Sequence, residues 1–158
     1  MRDRRPQMTD REIEYIDNLL AKLEPESCLE WGSGKSTVYF PTRHEHIKKW
    51  MAIEHKERWF VYVIGRMNKL NTVVHFKTQE NYLNVGGKWD FILVDGILRN
   101  ECLAKARELL KPNGIVLLHD SYRDEYDEGV ALYDKKEVIF EGIGEGAGKH
   151  KGLTKLWI

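Results

Sequence analysis

The sequence predicts an α/β fold with a doubly wound, mostly parallel sheet and helices on both of its faces. Apolar, strand-like segments alternate with helical segments five times before the chain ends in a pair of strand-like segments. The runs FILV and IVLL are apolar without interruption, as expected for parallel strands buried on both faces. In such sheets ligands bind beyond the carboxyl ends of the strands, so the residues after each strand are the candidates for function.

The first element is a helix that begins with a capping box. Thr9 and Glu12 form the T-x-x-E pattern that satisfies the first N–H groups of a helix. Apolar residues then recur at helical spacing, at Ile13, Ile16, Leu20 and Leu23. We expect residues 1–24 to form an N-terminal helical extension of one domain that spans residues 1–158.

The remaining elements follow in regular order. Strands are predicted at SCLEWG, WMAIEH, NTVVHFKT, DFILVDG, GIVLLHDS, EVIFEGI and LTKLWI. Helices are predicted at TVYFPTRHEHIKK, which Pro41 interrupts, at KERWFVYVIGRMNKL, over about four turns, and at RNECLAKARELLK, which the KPNG turn ends. The Gly-rich segment GIGEGAGKHKG between the last two strands is expected to be a hairpin loop or a mobile lid, with Lys149, His150 and Lys151 facing an acidic ligand.

Bulk composition excludes several classes of protein. The 25 basic and 25 acidic side chains cancel, which argues against a nucleic-acid partner. No apolar run is long enough to cross a membrane, and the charged N-terminus does not resemble a secretory signal. Cys28 and Cys102 lie in apolar patterns and read as buried, reduced thiols, so we expect a cytoplasmic protein.

The stretch CLEWGSGKSTVYF carries the strongest functional signal, and it matches two phosphate-binding patterns only in part. A phosphate-cradling loop, G-x-x-x-x-G-K-[ST], would need a glycine where Leu29 stands. A dinucleotide turn, G-x-G-x-x-G, would need a third glycine where Thr37 stands. Gly32 and Gly34 follow a strand-end acid, Glu30, and glycines let the backbone approach a ligand closely because a Cβ would clash there.

Glu30-x-Gly32-x-Gly34 resembles motif I of the class I S-adenosylmethionine-dependent methyltransferases. Glu54, at the end of the second strand, resembles the acid with which that family binds the ribose hydroxyls. The resemblance covers about residues 24–158. It implies a Rossmann-like, seven-stranded sheet that ends in a C-terminal antiparallel strand pair.

The same resemblance implies the ligands and their binding residues. The cofactor would be S-adenosylmethionine, with S-adenosylhomocysteine as the product. Its binding residues would be Glu30, Gly32, Ser33, Gly34, Ser36, Glu54, His55, Gln79 and Asp95. The family's acceptor pocket lies between the ends of the fourth and fifth strands, where Asp95, His119 and Asp120 are the predicted catalytic residues. Asp120 or His119 would act as the base while Asp95 orients the acceptor.

Some enzymes of that family hold a divalent cation at this place, and Asp95 and Asp120 are the counterparts of its ligands. Ser121 stands where the family has an asparagine, so no metal is assigned and the question stays open. The predicted activity is O-methylation of a small molecule or sugar-like acceptor. Two alternatives remain: a catalytically inactive cofactor- or partner-binding domain of the same fold, and a P-loop-type nucleotide-binding protein. A homodimer is an open alternative for the assembly.

Overall fold

The computed structural model describes residues 5–67, 70–141 and 152–158, and one sheet runs through its centre. The strands of this described part are β1 (Ser27–Trp31), β2 (Lys49–Glu54), β3 (Thr72–Phe76), β4 (Trp89–Val94), β5 (Leu110–His119), β6 (Lys135–Phe140) and β7 (Leu153–Trp157). Residues 142–151 of the predicted lid, with Lys149, His150 and Lys151, lie outside the described residues.

The strand order is β3-β2-β1-β4-β5-β7-β6, which confirms the doubly wound prediction. Strands β1 to β5 pair in parallel, whereas β7 is antiparallel to both β5 and β6. The order reverses between β1 and β4, so a crevice opens beyond their carboxyl ends. The C-terminal antiparallel pair is also as predicted.

Five α-helices connect the strands within the described ranges: α1 (Asp10–Leu23), α2 (Lys35–Arg43), α3 (Glu57–Ile64), α4 (Arg99–Leu109) and α5 (Asp127–Val130). The capping box of α1 is formed, since the Thr9 amide donates to Glu12 Oε2 at 2.8 Å and the Glu12 amide donates to Thr9 Oγ1 at 3.2 Å. None of these helices has both the length and the apolar character that a membrane span needs.

Alternation along the strands divides the core into two layers. Leu29 and Trp31 of β1 face the layer formed with α4, whereas Cys28 faces the layer formed with α1 and α2. Because successive side chains of a strand point to opposite faces, Glu30 lies on the side of the sheet that α2 covers. Cys28 and Cys102 are buried free thiols, as predicted.

Three elements differ from the predictions. Helix α3 ends at Ile64, about two turns long rather than four, and Gly65 forms its C-cap. Pro41 lies inside α2 and close to its end, where a missing N–H disturbs few of the helix's hydrogen bonds. Strand β5 begins at Leu110, because that residue pairs with Trp89 of β4 before a register shift, and regular pairing resumes at Ile115.

Candidate functional site

A cavity of about 360 Å³ opens at the carboxyl ends of β1, β2, β4 and β5. The glycine turn after β1 lines it, as do the ends of β2, β4 and β5. Residues 6–8, which precede α1, also contribute to the lining. The cavity therefore lies at the topological switch point, where ligands bind in folds of this kind.

Gly32 and Gly34 have different roles in the glycine turn. Gly32 has φ of +95°, and a Cβ built on it would lie 2.6 Å from the Gly96 amide nitrogen. A glycine is thus required there so that the ends of β1 and β4 can pack together. Gly34 lines the cavity, and no described atom lies within 4 Å of where its Cβ would be. Of the two glycines, Gly34 is the one that leaves space for a ligand.

Glu30 lies beneath the turn and not at the cavity wall. Its carboxylate accepts hydrogen bonds from Ser36 Oγ, from Thr37 Oγ1 at 2.7 Å and from Trp50 Nε1 at 2.8 Å. Complete burial raises the pKa of Glu30 to about 7, although these three donors act in the opposite direction. The structure thus uses Glu30 to fix the first turn of α2, and Glu30 is absent from the described cavity lining.

Glu54 presents a buried but oriented carboxylate at the cavity wall. Oε1 accepts from the amides of His55 at 2.9 Å and Lys56 at 2.7 Å, and Oε2 accepts from Ser33 Oγ at 3.1 Å. A carboxylate has about four acceptor positions, so these three donors leave it able to accept from a ligand hydroxyl. The turn after β1 and the end of β2 are joined through this hydrogen bond to Ser33.

A second polar cluster is formed where β4 and β5 end. His119 Nδ1 lies 2.9 Å from Asp95 Oδ1 and 3.6 Å from Asp120 Oδ1. Asp95, His119 and Asp120 each offer one atom within 4.8 Å of the others, the spacing of a candidate cation site. Asp120 has φ of +57°, an uncommon backbone conformation for a residue with a side chain.

Two further charged residues complete this cluster. Arg99 Nη2 lies 3.3 Å from both Asp95 Oδ1 and Asp120 Oδ2. Glu12 Oε1 lies 3.6 Å from His119 Nε2. Burial alone would lower the pKa of His119, but Asp95, Glu12 and Asp120 outweigh it and raise the pKa to about 10. The three carboxylates therefore favour the protonated form of His119.

Most of the predicted site residues meet in one cavity. Those that line it are Gly32, Ser33, Gly34, Ser36, Glu54, His55, Asp95, His119 and Asp120. Glu30 is beneath the turn, and Gln79 is exposed in the 3-10 turn Gln79–Asn81, away from the described lining. Tyr82 is core, as its ring is fully buried and its Oη fills the space beside Gly96.

Three contributors to the site were not assigned a role from the sequence. Glu12 was recognised only as part of a capping box, and its second oxygen points towards His119. Arg99 stands at the first position of α4, where the helix dipole disfavours a cation, and that position was an available signal. The residues of segment 6–8 carry no pattern from which their place in the cavity wall could be predicted.

Solved methyltransferases share this fold over nearly the whole chain. A Staphylococcus aureus protein described as a candidate caffeoyl-CoA O-methyltransferase aligns with a TM-score of 0.73 and 16% identity, covering 95% of this chain and 84% of that one. An O-methyltransferase from Bacillus cereus in complex with SAH (S-adenosylhomocysteine) aligns with a TM-score of 0.71 and 16% identity, covering 94% and 81%. The N-methyltransferase NodS from Bradyrhizobium japonicum WM9 aligns with a TM-score of 0.62 and 12% identity, covering 93% and 95%.

No protein-family model matches the chain, and neither does any curated protein sequence. The likeness to the solved structures, at these low identities, is a likeness of fold. It confirms the prediction of a Rossmann-like methyltransferase fold from the N-terminal helix to the C-terminal strand pair.

Proposed function

We propose that the protein is an S-adenosylmethionine-dependent methyltransferase that methylates an oxygen of a small molecule. The observation that carries the proposal is the meeting, in one cavity, of the open face of Gly34 with the buried, oriented carboxylate of Glu54. The fold shared with solved O-methyltransferases supports it. Nothing comparable on the described residues favours an inactive domain of the same fold or a P-loop-type nucleotide-binding protein.

Glu54 is proposed to hold the ribose of the cofactor. Its two oxygens are fixed by three donors, so a hydroxyl that reaches it meets an acceptor already oriented. Glu54 is 2% exposed in the described structure, and its carboxylate forms charge-assisted hydrogen bonds that are stronger than those of a neutral acceptor.

The glycine turn is proposed to hold the amino-acid tail. Gly34 is the N-cap of α2, and the first N–H groups of a helix lack partners within the helix. A carboxylate is favoured at such a helix start. The hydrogen bonds of Glu30 to Ser36 and Thr37 hold this first turn in place, so Glu30 acts on the tail through the helix.

The acceptor is proposed to lie between the ends of β4 and β5. When bound there, S-adenosylmethionine would supply a sulfonium methyl group for transfer to the acceptor oxygen, with its thioether as the leaving group. Asp120 is the residue proposed to take the hydroxyl proton, because its Oδ1 is buried and has no hydrogen-bond partner among the described residues. Asp95 is proposed to orient the acceptor, with its own carboxylate held by His119 and Arg99.

Calorimetry with S-adenosylhomocysteine and with Mg·ATP tests the cofactor assignment. We expect the wild type to bind S-adenosylhomocysteine and Glu54→Gln to bind it at least about tenfold more weakly, the loss of about 1.4 kcal/mol that a charged hydrogen bond explains. Glu57→Gln, an exposed acid on α3, is the matched control and should bind as the wild type does. Binding of ATP without binding of S-adenosylhomocysteine would show that the proposal is wrong.

A second experiment separates an active enzyme from an inactive domain of the same fold. Transfer of a labelled methyl group from S-adenosylmethionine to a small-molecule extract should be detectable with the wild type. Asp120→Asn should abolish this transfer while leaving S-adenosylhomocysteine affinity within about twofold, because the base contributes to the reaction and not to cofactor binding. Full cofactor binding by a wild type that never transfers its label would support the inactive-domain alternative.

A further inference from the structure

Arg99 joins the ends of the two strands between which the acceptor is proposed to bind. It is the first residue of α4, and its side chain turns back towards the sheet. Nε donates to the Gly96 carbonyl at 2.9 Å, Nη1 donates to the His119 carbonyl, and Nη2 lies 3.3 Å from the Asp95 carbonyl. The guanidinium is thus held by the backbone of β4 on one side and of β5 on the other.

The same guanidinium lies between two carboxylates. Nη2 is 3.3 Å from Asp95 Oδ1 and 3.3 Å from Asp120 Oδ2, and the Arg99 side chain is 9% exposed. The ring of Tyr126 covers it, with Cζ 5.3 Å from the ring centroid. An arginine with acceptors around all three of its nitrogens and an aromatic cover is fixed in one position.

That position conflicts with a divalent cation. Mg²⁺ and Ca²⁺ bind carboxylate oxygens at about 2.0 to 2.6 Å. A cation that bridged Asp95 Oδ1 and Asp120 Oδ2 would have to lie where Arg99 Nη2 already contacts both oxygens. Asp120 Oδ1 has no hydrogen-bond partner among the described residues, but it lies 3.6 Å from His119 Nδ1, which Asp95 Oδ1 engages at 2.9 Å. The donor atoms are therefore present, but the chain's own cation already contacts one oxygen of each carboxylate.

We propose that Arg99 permanently takes the place of a divalent metal between Asp95 and Asp120, so that this site binds no metal ion. Arg99 acts as a positioning residue: it balances the two carboxylates and sets the distance between the β4 and β5 ends. That methyl transfer needs no metal ion is a consequence that rests on the proposed function. The exclusion of a metal ion from the site does not rest on it.

Titration of the full-length protein with Mn²⁺, followed by electron paramagnetic resonance, tests the proposal. The wild type should show no site-specific Mn²⁺ binding below about millimolar concentration. Arg99→Gln should gain one site with a dissociation constant of about 10⁻⁴ M, the range of weak cation sites with few carboxylates. Asp120→Asn added to Arg99→Gln should remove that site again. Arg123→Gln, an exposed arginine beside Glu125, is the matched control and should not gain a site.

Two results would overturn the proposal: wild-type binding of one Mn²⁺ that Asp120→Asn abolishes, or a folded Arg99→Gln protein that gains no site. Should Arg99→Gln fail to fold, Arg99→Lys keeps the charge and should still exclude Mn²⁺; a Lys variant that binds Mn²⁺ contradicts the proposal as well. Failure of the proposed function appears separately, as a wild type that does not bind S-adenosylhomocysteine, and leaves the Mn²⁺ result unchanged.

Discussion

Glu12 Oε1 and His119 Nε2 face each other at 3.6 Å, and neither atom has a hydrogen-bond partner within the described ranges. Glu12 belongs to the first turn of α1, whereas His119 is the last residue of β5. Burial raises the pKa of Glu12, but contacts with His119 and Thr9 outweigh burial and lower it. The N-terminal helix is therefore an electrostatic partner of the predicted catalytic cluster.

Replacing Glu12 should change the titration of His119. Glu12→Gln removes one of three carboxylates that favour the imidazolium, so we expect the pKa of His119 to fall from about 10 by about one unit. Glutamine preserves the capping box, because its side-chain oxygen still accepts from the Thr9 amide. Nuclear magnetic resonance of the His119 ring across a pH series measures the change.

Asp10→Asn is the control for that measurement. Asp10 is an acid of the same helical turn, but it is exposed and paired with Arg5 at 2.8 Å. Its replacement should leave the titration of His119 where it is. Equal shifts in the two variants would mean that the helix as a whole, and not the Glu12 carboxylate, acts on His119.

The stability of the protein should fall as the pH rises above neutral. The pKa of His119 is raised in the folded chain from 6.5 to about 10, so its contribution is complete below pH 6.5 and is lost as the pH rises through about 10. Between about pH 7.5 and about pH 9 the slope should approach 1.4 kcal/mol per pH unit. Urea unfolding at several pH values measures it, and His119→Gln should flatten the slope even where it lowers the stability itself.

Alanine at Gly32 should lower the stability of the fold, whereas alanine at Gly34 should weaken S-adenosylhomocysteine binding. Gly32→Ala should lower the free energy of unfolding by more than about 2 kcal/mol, because of its positive φ and the overlap with Gly96. Gly34→Ala should change stability by less than about 1 kcal/mol and weaken S-adenosylhomocysteine binding at least about tenfold, because its methyl group enters the cavity. Chemical denaturation and calorimetry measure the two quantities, and an unchanged affinity in Gly34→Ala would contradict the proposed tail site.

Removing the Glu30 carboxylate should destabilise the fold. Glu30→Ala leaves the buried donors of Ser36, Thr37 and Trp50 without their acceptor, and unsatisfied groups cost about 1 to 3 kcal/mol each. Glu30→Gln keeps one oxygen and should lose less. Denaturation followed by tryptophan fluorescence measures both variants. A fully stable Glu30→Ala protein that has lost only cofactor affinity would show that Glu30 binds the ligand directly.

The order of elements was predictable because each rests on a local pattern. The capping box at Thr9 predicted the start of α1, and the uninterrupted apolar runs predicted the central strands β4 and β5. The boundaries that failed depend on long-range pairing: β5 extends back to Leu110 because Trp89 pairs with that residue. A pattern within one segment does not contain that information.

The candidate site was predictable only in part. Glu54, Asp95 and Asp120 were predicted from their positions at the ends of parallel strands, because those ends lie at one edge of the sheet irrespective of loop conformation. The Glu30 side chain points beneath the turn because of the pleat of β1 and the packing of Trp50. A sequence motif specifies neither of these. The role of Arg99 depends on three backbone carbonyls and two carboxylates at the ends of β4 and β5, which only the folded chain brings together.

The contact between Gly32 and the backbone at Gly96 has a consequence for how relatives of this chain should be classified. A relative that bound no ligand in this cavity would still need Gly32, because without it the two central strands could not end side by side. Selection for folding alone would preserve half of the glycine signature. Gly34 is free of that constraint, so its retention or loss is a better marker of ligand binding than that of Gly32.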